Sequence, residues 1–309
     1  MRAIVVNAYG GPEVLGIGER PEPKVGPDSV LVRVRAASVN PVDYKIVRGY
    51  LDRAFPTVFP LVPGWDVAGE VVSVGPAVTH LEVGQRVYGY ARKDYIGDGT
   101  WAELVAVPAR GVAPMPTSVD FVEASCLPLA GLTAYQCLVD TLAVGSGDVV
   151  LVHAASGGVG TFAVQIAAAL GARVIGTSSE GSADHVRRLG GEPVGYGDGL
   201  VERVRALAPD GVDAVVDLAG GEALDVSPEL MREGGRLVSV TNAVRVKELG
   251  GHYVFVRPDV DDLTELARLV DIGKLAVYVQ DRFPLDDVRA AVARAETGHV
   301  RGKVVLEVP

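Results

Sequence analysis

The stretch VVLVHAASGGVGTFAVQIAAALGARVIGTS, Val149 to Ser178, reads as strand, glycine-rich turn, helix and second strand in succession. Val149 to Val152 is the apolar, β-branched run that a parallel strand buried on both faces requires. Ser156, Gly157, Gly158, Val159 and Gly160 make the turn and the entry to the helix. Side chains at those glycines would keep a phosphate away from the helix's first N–H groups, where the aligned peptide dipoles favour negative charge. The helix carries Val159, Phe162, Ala163, Ile166, Ala167 and Leu170 at helical spacing and ends before Gly171, and Ala172 to Ile175 supplies the next strand. Ala154, Gly157 and Gly160 depart from the commonest GxGxxG form. The strand before, the helix after and the second strand at the right distance are nevertheless the context of a dinucleotide-binding βαβ unit.

The end of the second strand selects the nucleotide. An NAD-preferring site carries an acidic residue there for the ribose 2′-hydroxyl, whereas this chain reads Gly176, Thr177, Ser178, Ser179. A carboxylate about 4 Å from a 2′-phosphate would repel it by about 4 kcal/mol per unit charge at an effective dielectric near 20. Its absence admits NADPH. Ser178 and Ser179 can donate to the phosphate, and His185, Arg187 or Arg188 can add positive charge, with Glu180 nearby acting against them.

Composition bounds the remainder. With 309 residues, 48% of them hydrophobic and 22% charged, the chain suffices for a large core and two domains. Its apolar runs fall well short of the ~20 residues of a membrane span, and MRAIVVNAYG lacks the apolar segment of a signal peptide, so no membrane partner and a cytoplasmic location are expected. A net charge of −10 argues against nucleic acid. Cys126 and Cys137 lie in apolar surroundings and read as buried free thiols.

Along the chain, residues 1–123 read as β-rich, with short runs at Ser29 to Val34, Asp66 to Val74, Arg86 to Tyr90 and Trp101 to Val105. From about Glu123 strands alternate with helices, strands beginning or lying at Val149, Arg173, Asp213 to Asp217 and Arg236 to Val240, as in a doubly wound α/β domain. A helix over Leu285 to Glu296 and a strand over Lys303 to Val308 close the chain.

Ordered matches now cover essentially the whole sequence: Gly11 to Leu15, AASVNPVDYKIVRG (36–49), VPGWDVAGEVVSVG (62–75), VGQRVYGY (83–90), GTWAEL (99–104), LPLAGLTAYQCL (127–138), HAASGGVG (153–160), DAVVDLAGG (213–221) and GHVRGKVVL (298–306). The chain resembles the medium-chain dehydrogenase/reductase superfamily, and within it the zinc-independent quinone oxidoreductases related to zeta-crystallin. The resemblance implies an α/β protein with a GroES-like β-rich substrate domain (1–123 and 268–309) and a Rossmann domain binding NADPH (124–267), the active site between them, commonly as a homodimer.

It also implies roles. Asn40, Tyr44 and Tyr50 become the catalytic candidates, although each tyrosine falls one position before its usual place, where this chain has Lys45 and Leu51. Cofactor contacts are implied at Thr133, Gly158 and Val159, Tyr196, Val240 and Thr241, Phe255 and Val256, and Arg301 and Lys303. A lysine in an apolar strand needs an anionic or backbone partner in any case. In zinc-dependent relatives a cysteine stands at the position of Asn40 and a His-Glu pair at Trp65 and Asp66. Two cysteines cannot make a four-thiolate site, and His80, His153, His185, His252 and His299 show no metal-ligand spacing, so no metal is expected. Without a Lewis acid, alcohol oxidation is disfavoured, whereas hydride transfer to a quinone or an α,β-unsaturated carbonyl needs only donors for the developing oxyanion. The expected activity is NADPH-dependent reduction of a small quinone or enone. The alternatives are a trans-acting enoyl or tailoring reductase of a biosynthetic pathway, and a non-catalytic NADPH-binding sensory or partner-binding protein.

Overall fold

The short apolar runs that glycine and proline punctuate over residues 1–114 become nine strands in a computed structural model, which describes residues 1–298 and 300–309. They are β1 (Arg2–Val5), β2 (Gly16–Glu19), β3 (Ser29–Val39), β4 (Thr57–Val62), β5 (Asp66–Val74), β6 (Arg86–Tyr90), β7 (Ile96–Asp98), β8 (Leu104–Pro108) and β9 (Val112–Pro114). Six follow, β10 (Val149–Val152), β11 (Arg173–Ser178), β12 (Gly191–Gly195), β13 (Val212–Asp217), β14 (Met231–Ser239) and β15 (His252–Tyr253), and then β16 (Val279–Pro284) and β17 (Lys303–Glu307). The chain divides into two units, one of residues 1–129, 258–272 and 277–309, the other of 130–257 and 273–276.

The first unit is built on β3, eleven residues long and buried along most of its length. Its sheet runs β16-β17-β3-β5-β6-β9, with β8 also paired to β3. β17 therefore joins the sheet beside β3, with Val304 opposite Val39 and Leu306 opposite Ala37. The strand expected over Trp101 to Val105 forms instead over Leu104–Pro108. Trp101 is fully buried, its N–H donating to the Pro63 carbonyl at 3.0 Å and its own carbonyl accepting from Ile4 N at 2.8 Å, which holds it in a loop beside β1.

The second unit is a parallel sheet in the order β12-β11-β10-β13-β14-β15. From β10 the chain steps outward to β11 and β12, then returns to the other side of β10 for β13 to β15. That reversal creates the crevice at the carboxyl ends of the strands where doubly wound folds bind ligands. Leu151, Ile175, Val215 and Leu237 carry the sheet's face into a core completed by Leu200, Val204, Leu224, Leu230 and Val246. Each such side chain contributes about 1.5–3 kcal/mol by leaving water. Cys126 and Cys137 are both buried, and burial pushes each thiol up to about 12. Among the described residues no helix is long and apolar enough to cross a membrane.

Candidate active and cofactor sites

In the second unit, β10 ends at Val152 and the chain turns through Ala154 to Gly157 into the helix Gly158–Ala169. Ala154 sits in the left-handed region at φ 54°, the backbone that a glycine would supply without strain. Two bonds to the end of β11 hold it there: Ala154 N–H donates to Thr177 Oγ1 at 3.0 Å, and Ala155 N–H to the Thr177 carbonyl at 2.9 Å. Gly160 packs so closely beneath the turn that a Cβ would lie 2.2 Å from the Ala154 carbonyl oxygen. Gly157 stands at the N-cap and gives the helix no side-chain cap, so its first-turn N–H groups and dipole are left for an anion.

At the end of β11, Ser178 Oγ donates to the Ser179 carbonyl at 3.2 Å and Ser179 Oγ to Ser182 Oγ at 3.2 Å, placing two hydroxyls where an acidic residue would read a ribose. Arg187 pairs with Asp184 at 2.6 Å, whereas His185 is buried against Thr161 Oγ1 at 3.2 Å. Tyr196 follows β12 with its side chain 61% exposed.

On the other side of the crevice, Asp217 closes β13 and organises the loops. Oδ1 accepts from Ala219 and Gly220 N–H at 3.1 and 2.8 Å, while Oδ2 accepts from Ser239 Oγ at 2.6 Å and Thr241 Oγ1 at 2.9 Å. Val240 N–H donates to the Asp217 carbonyl at 3.2 Å, so Val240 and Thr241 are both set by this residue. Phe255 is exposed and Val256 buried in a segment clamped by Gln136, whose side chain accepts from Arg257 N–H and donates to the Arg257 carbonyl, each at 3.1 Å. Thr133 is buried in the helix Pro128–Tyr135. Directly after β10, His153 Nε2 lies 3.2 Å from Ser227 Oγ, and among the described residues Nδ1 has no partner. Burial pushes this imidazole down to about 4 against the pull of Asp217.

The first unit holds a cluster made of side chains. Asn40, Asp43 and Asp66 are buried around the start of the helix Pro41–Val47. Asp66 Oδ2 accepts from Ser38 Oγ at 2.6 Å and Asn40 Nδ2 at 2.8 Å, and Oδ1 accepts from Leu129 N–H at 2.7 Å. Lys303, 4% exposed, reaches in from β17 to donate to Asn40 Oδ1 and to the Val39 carbonyl at 3.3 Å, with Asp66 Oδ2 at 3.9 Å. Burial raises the Asp66 carboxyl above the usual range, with Lys303 and the hydroxyl and amide donors opposing it. Asp43 Oδ2 accepts from Asn40 N–H at 2.7 Å and, among the described residues, its Oδ1 has no partner; burial, reinforced by the charge of Asp66, pushes this carboxyl up to about 8.

Of the three catalytic candidates, Asn40 alone enters this cluster. Tyr44, half-buried, lines a groove with Gly11, Pro12, Arg48, Val292 and Glu296, and burial followed by the charges of Glu296 and Asp43 raises its hydroxyl above the ordinary value. Tyr50 is 70% exposed beyond the end of the helix. Arg301 is exposed, its N–H donating to Gln280 Oε1 at 3.1 Å, while Lys303 is committed to Asn40. The sequence had singled out Lys303 by its apolar surroundings. The same signal was available for Asp217, which ends the apolar run AVVD, and for Asp66 at the head of DVAG.

Comparison with known proteins places the chain in one family. The model of the alcohol dehydrogenase GroES-like domain matches residues 26–117, and that of the zinc-binding dehydrogenases matches 189–306. A chloroplast envelope quinone oxidoreductase homolog of Arabidopsis thaliana is 33% identical over 99% of this chain and 98% of its own. An NADPH-dependent alkenal/one oxidoreductase of the same plant is 35% identical over 99% and 79%. A mycobacterial protein solved in complex with NADPH superimposes with a TM-score of 0.86, at 31% identity, covering 99% of both chains. The chain belongs to the quinone oxidoreductase branch of the medium-chain dehydrogenase/reductase family.

Its matched family model names zinc, and the donor set here does not suit that ion. The positions of interest hold an amide, an indole and one carboxylate, Asn40, Trp65 and Asp66. Both Asp66 oxygens already accept from Ser38, Asn40 and Leu129, and an ammonium lies against it. Zinc takes three or four imidazole, thiolate or carboxylate ligands, and among the described residues no group of three His, Cys, Asp or Glu could supply them. His299 lies outside the described residues. The chain thus presents a glycine turn with an uncapped helix start in one unit and, in the other, an amide ordered by a buried ion pair.

Proposed function

We propose that this protein is an NADPH-dependent reductase of quinones or α,β-unsaturated carbonyls that works without a metal. The carrying observation is the uncapped helix start at Gly157 and Gly158, lying at the switch point of the parallel sheet beside Ser178 and Ser179 in place of an acid. The relatives' activities point the same way. The turn 154–160 fits a pyrophosphate and the serine hydroxyls a 2′-phosphate, with Val240, Thr241, Phe255 and Val256 on the nicotinamide side.

NADPH, when bound, supplies the hydride. The chain's own part is to meet the negative charge that collects on the acceptor's oxygen, and Asn40 has an amide N–H for that purpose. Tyr44 and Tyr50 are the two hydroxyls to test as proton source. We also place the enzyme in the cytoplasm, where buried reduced thiols persist, and take it to act as a homodimer. The test is NADPH oxidation against a panel of phenanthrenequinone, a simple enone and an enoyl-thioester, with zinc measured in the same preparation. Turnover of quinone or enone at substoichiometric zinc is the expected result; turnover that disappears on chelation and returns with zinc overturns the metal-free reading. Dynamic light scattering or sedimentation gives the oligomeric state.

A further inference from the structure

Lys303 opens β17, an otherwise apolar strand until Glu307. Gly302 before it has φ 81°, and a Cβ there would lie 2.1 Å from the Tyr278 carbonyl oxygen, so the bend that delivers Lys303 calls for glycine. Strand pairing then sets the depth of the lysine. Its N–H donates to the Tyr278 carbonyl at 2.9 Å, and Val304 stands opposite Val39, the neighbour of Asn40. From that register Nζ meets both the Val39 carbonyl and Asn40 Oδ1.

A carboxamide has one accepting oxygen and two N–H donors. Here the oxygen accepts from an ammonium, and one N–H donates to the Asp66 carboxylate at 2.8 Å. Turning the amide over would set NH2 against the ammonium and oxygen against the carboxylate, replacing two attractions by two repulsions where water is excluded. The charges thus dictate the amide's polarity. We infer that Lys303 is a positioning residue, its ammonium holding the Asn40 amide in the orientation that offers N–H and withholds C=O, so that the site selects a hydrogen-bond acceptor such as the oxygen of an electron-poor carbonyl. This rests on the reductase function proposed above, and it assigns Lys303 a role exerted through Asn40 instead of through the cofactor.

The chain has three asparagines, Asn7, Asn40 and Asn242, so isotope-labelled asparagine gives three side-chain amide signals, and Asn40→Ala identifies one of them. The Asn40 amide protons should exchange slowly with solvent in the wild type and in Lys303→Arg, and at least about 10-fold faster in Lys303→Met. Lys303→Met should lower kcat about 100-fold and leave KM for NADPH within about twofold of wild type, with no further loss when added to Asn40→Ala. A raised KM for NADPH at unchanged kcat, or additive losses in the double variant, overturns the inference. So does rapid exchange of the Asn40 amide in the wild type, a measurement that decides even where Lys303→Met fails to fold. A wild type that turns over none of the acceptors overturns the reductase function alone, and amide exchange still judges Lys303.

Discussion

The cradle of the second unit and the cluster of the first answer the same problem, how to present hydrogen-bond donors at a fixed place, with opposite materials. Around Ala154 to Gly160 the donors are backbone N–H groups, aimed by a turn and a helix start, and the sequence contributes mainly by leaving side chains out. Around Asn40 the donor is a side-chain amide, aimed by Lys303, Asp66 and Ser38 from three separate strands. Backbone donors are ordered by local geometry. Side-chain donors are ordered by charge, and their order fails when a partner is lost.

Removing a partner therefore gives the largest expected effect. Asp66→Ala leaves Lys303 buried without its counter-charge and should cost about 3–5 kcal/mol, read as a lowered Tm, with NADPH affinity of the remaining folded protein unchanged. A parallel loss of NADPH affinity would break the separation between the two sites. Gly160→Val is the converse. Its side chain would collide with the Ala154 carbonyl, and it should destabilise by about 3 kcal/mol while abolishing measurable NADPH binding in a fluorescence titration.

The pH limits sharpen the contrast. His153 in the second unit is held neutral, with its folded value near 4 against 6.5. The unfolded chain thus gains a proton first, and stability is lost as pH falls from 6.5 to about 4 by about 3 kcal/mol; His153→Asn should flatten that slope in denaturant titrations. Asp43 in the first unit is raised to about 8. There the folded state holds a proton that the unfolded state releases, so stability falls as pH rises from 3.8 towards 8, and Asp43→Asn should remove this part of the decline. The smallest effect is Thr177→Val, which deprives the Ala154 N–H of its acceptor; about 1 kcal/mol of stability should go, with NADPH binding weakened only a few-fold.

The sequence disclosed the cradle because every part of it lies within thirty consecutive residues. The glycines, the apolar strand and the helical spacing all report on one another, and Gly158–Ala169 and the strand from Arg173 stand where that stretch implied. Lys303 was legible as an anomaly, a charge in an apolar strand, but its partners were not. Val39, Asn40 and Asp66 meet it only through the register of β17 on β3 and β3 on β5, and register is set by burial and turn geometry that no single segment carries. The same limit moved the expected strand at Trp101 to Leu104–Pro108, because the backbone of Trp101 pairs with Pro63 and Ile4, both distant in the chain.

One consequence follows from where β17 lies in the chain. A ribosome releases residues 1–114 first, yet the sheet they build lacks β17 beside β3, and Asp66 lacks its ammonium, until Lys303 has emerged almost two hundred residues later. The strands of the second unit are complete by Tyr253. Synthesis from the N-terminus thus delivers the nucleotide cradle before the amide site can be assembled, and the order in which the two sites mature is the reverse of the order in which the chain begins to write them.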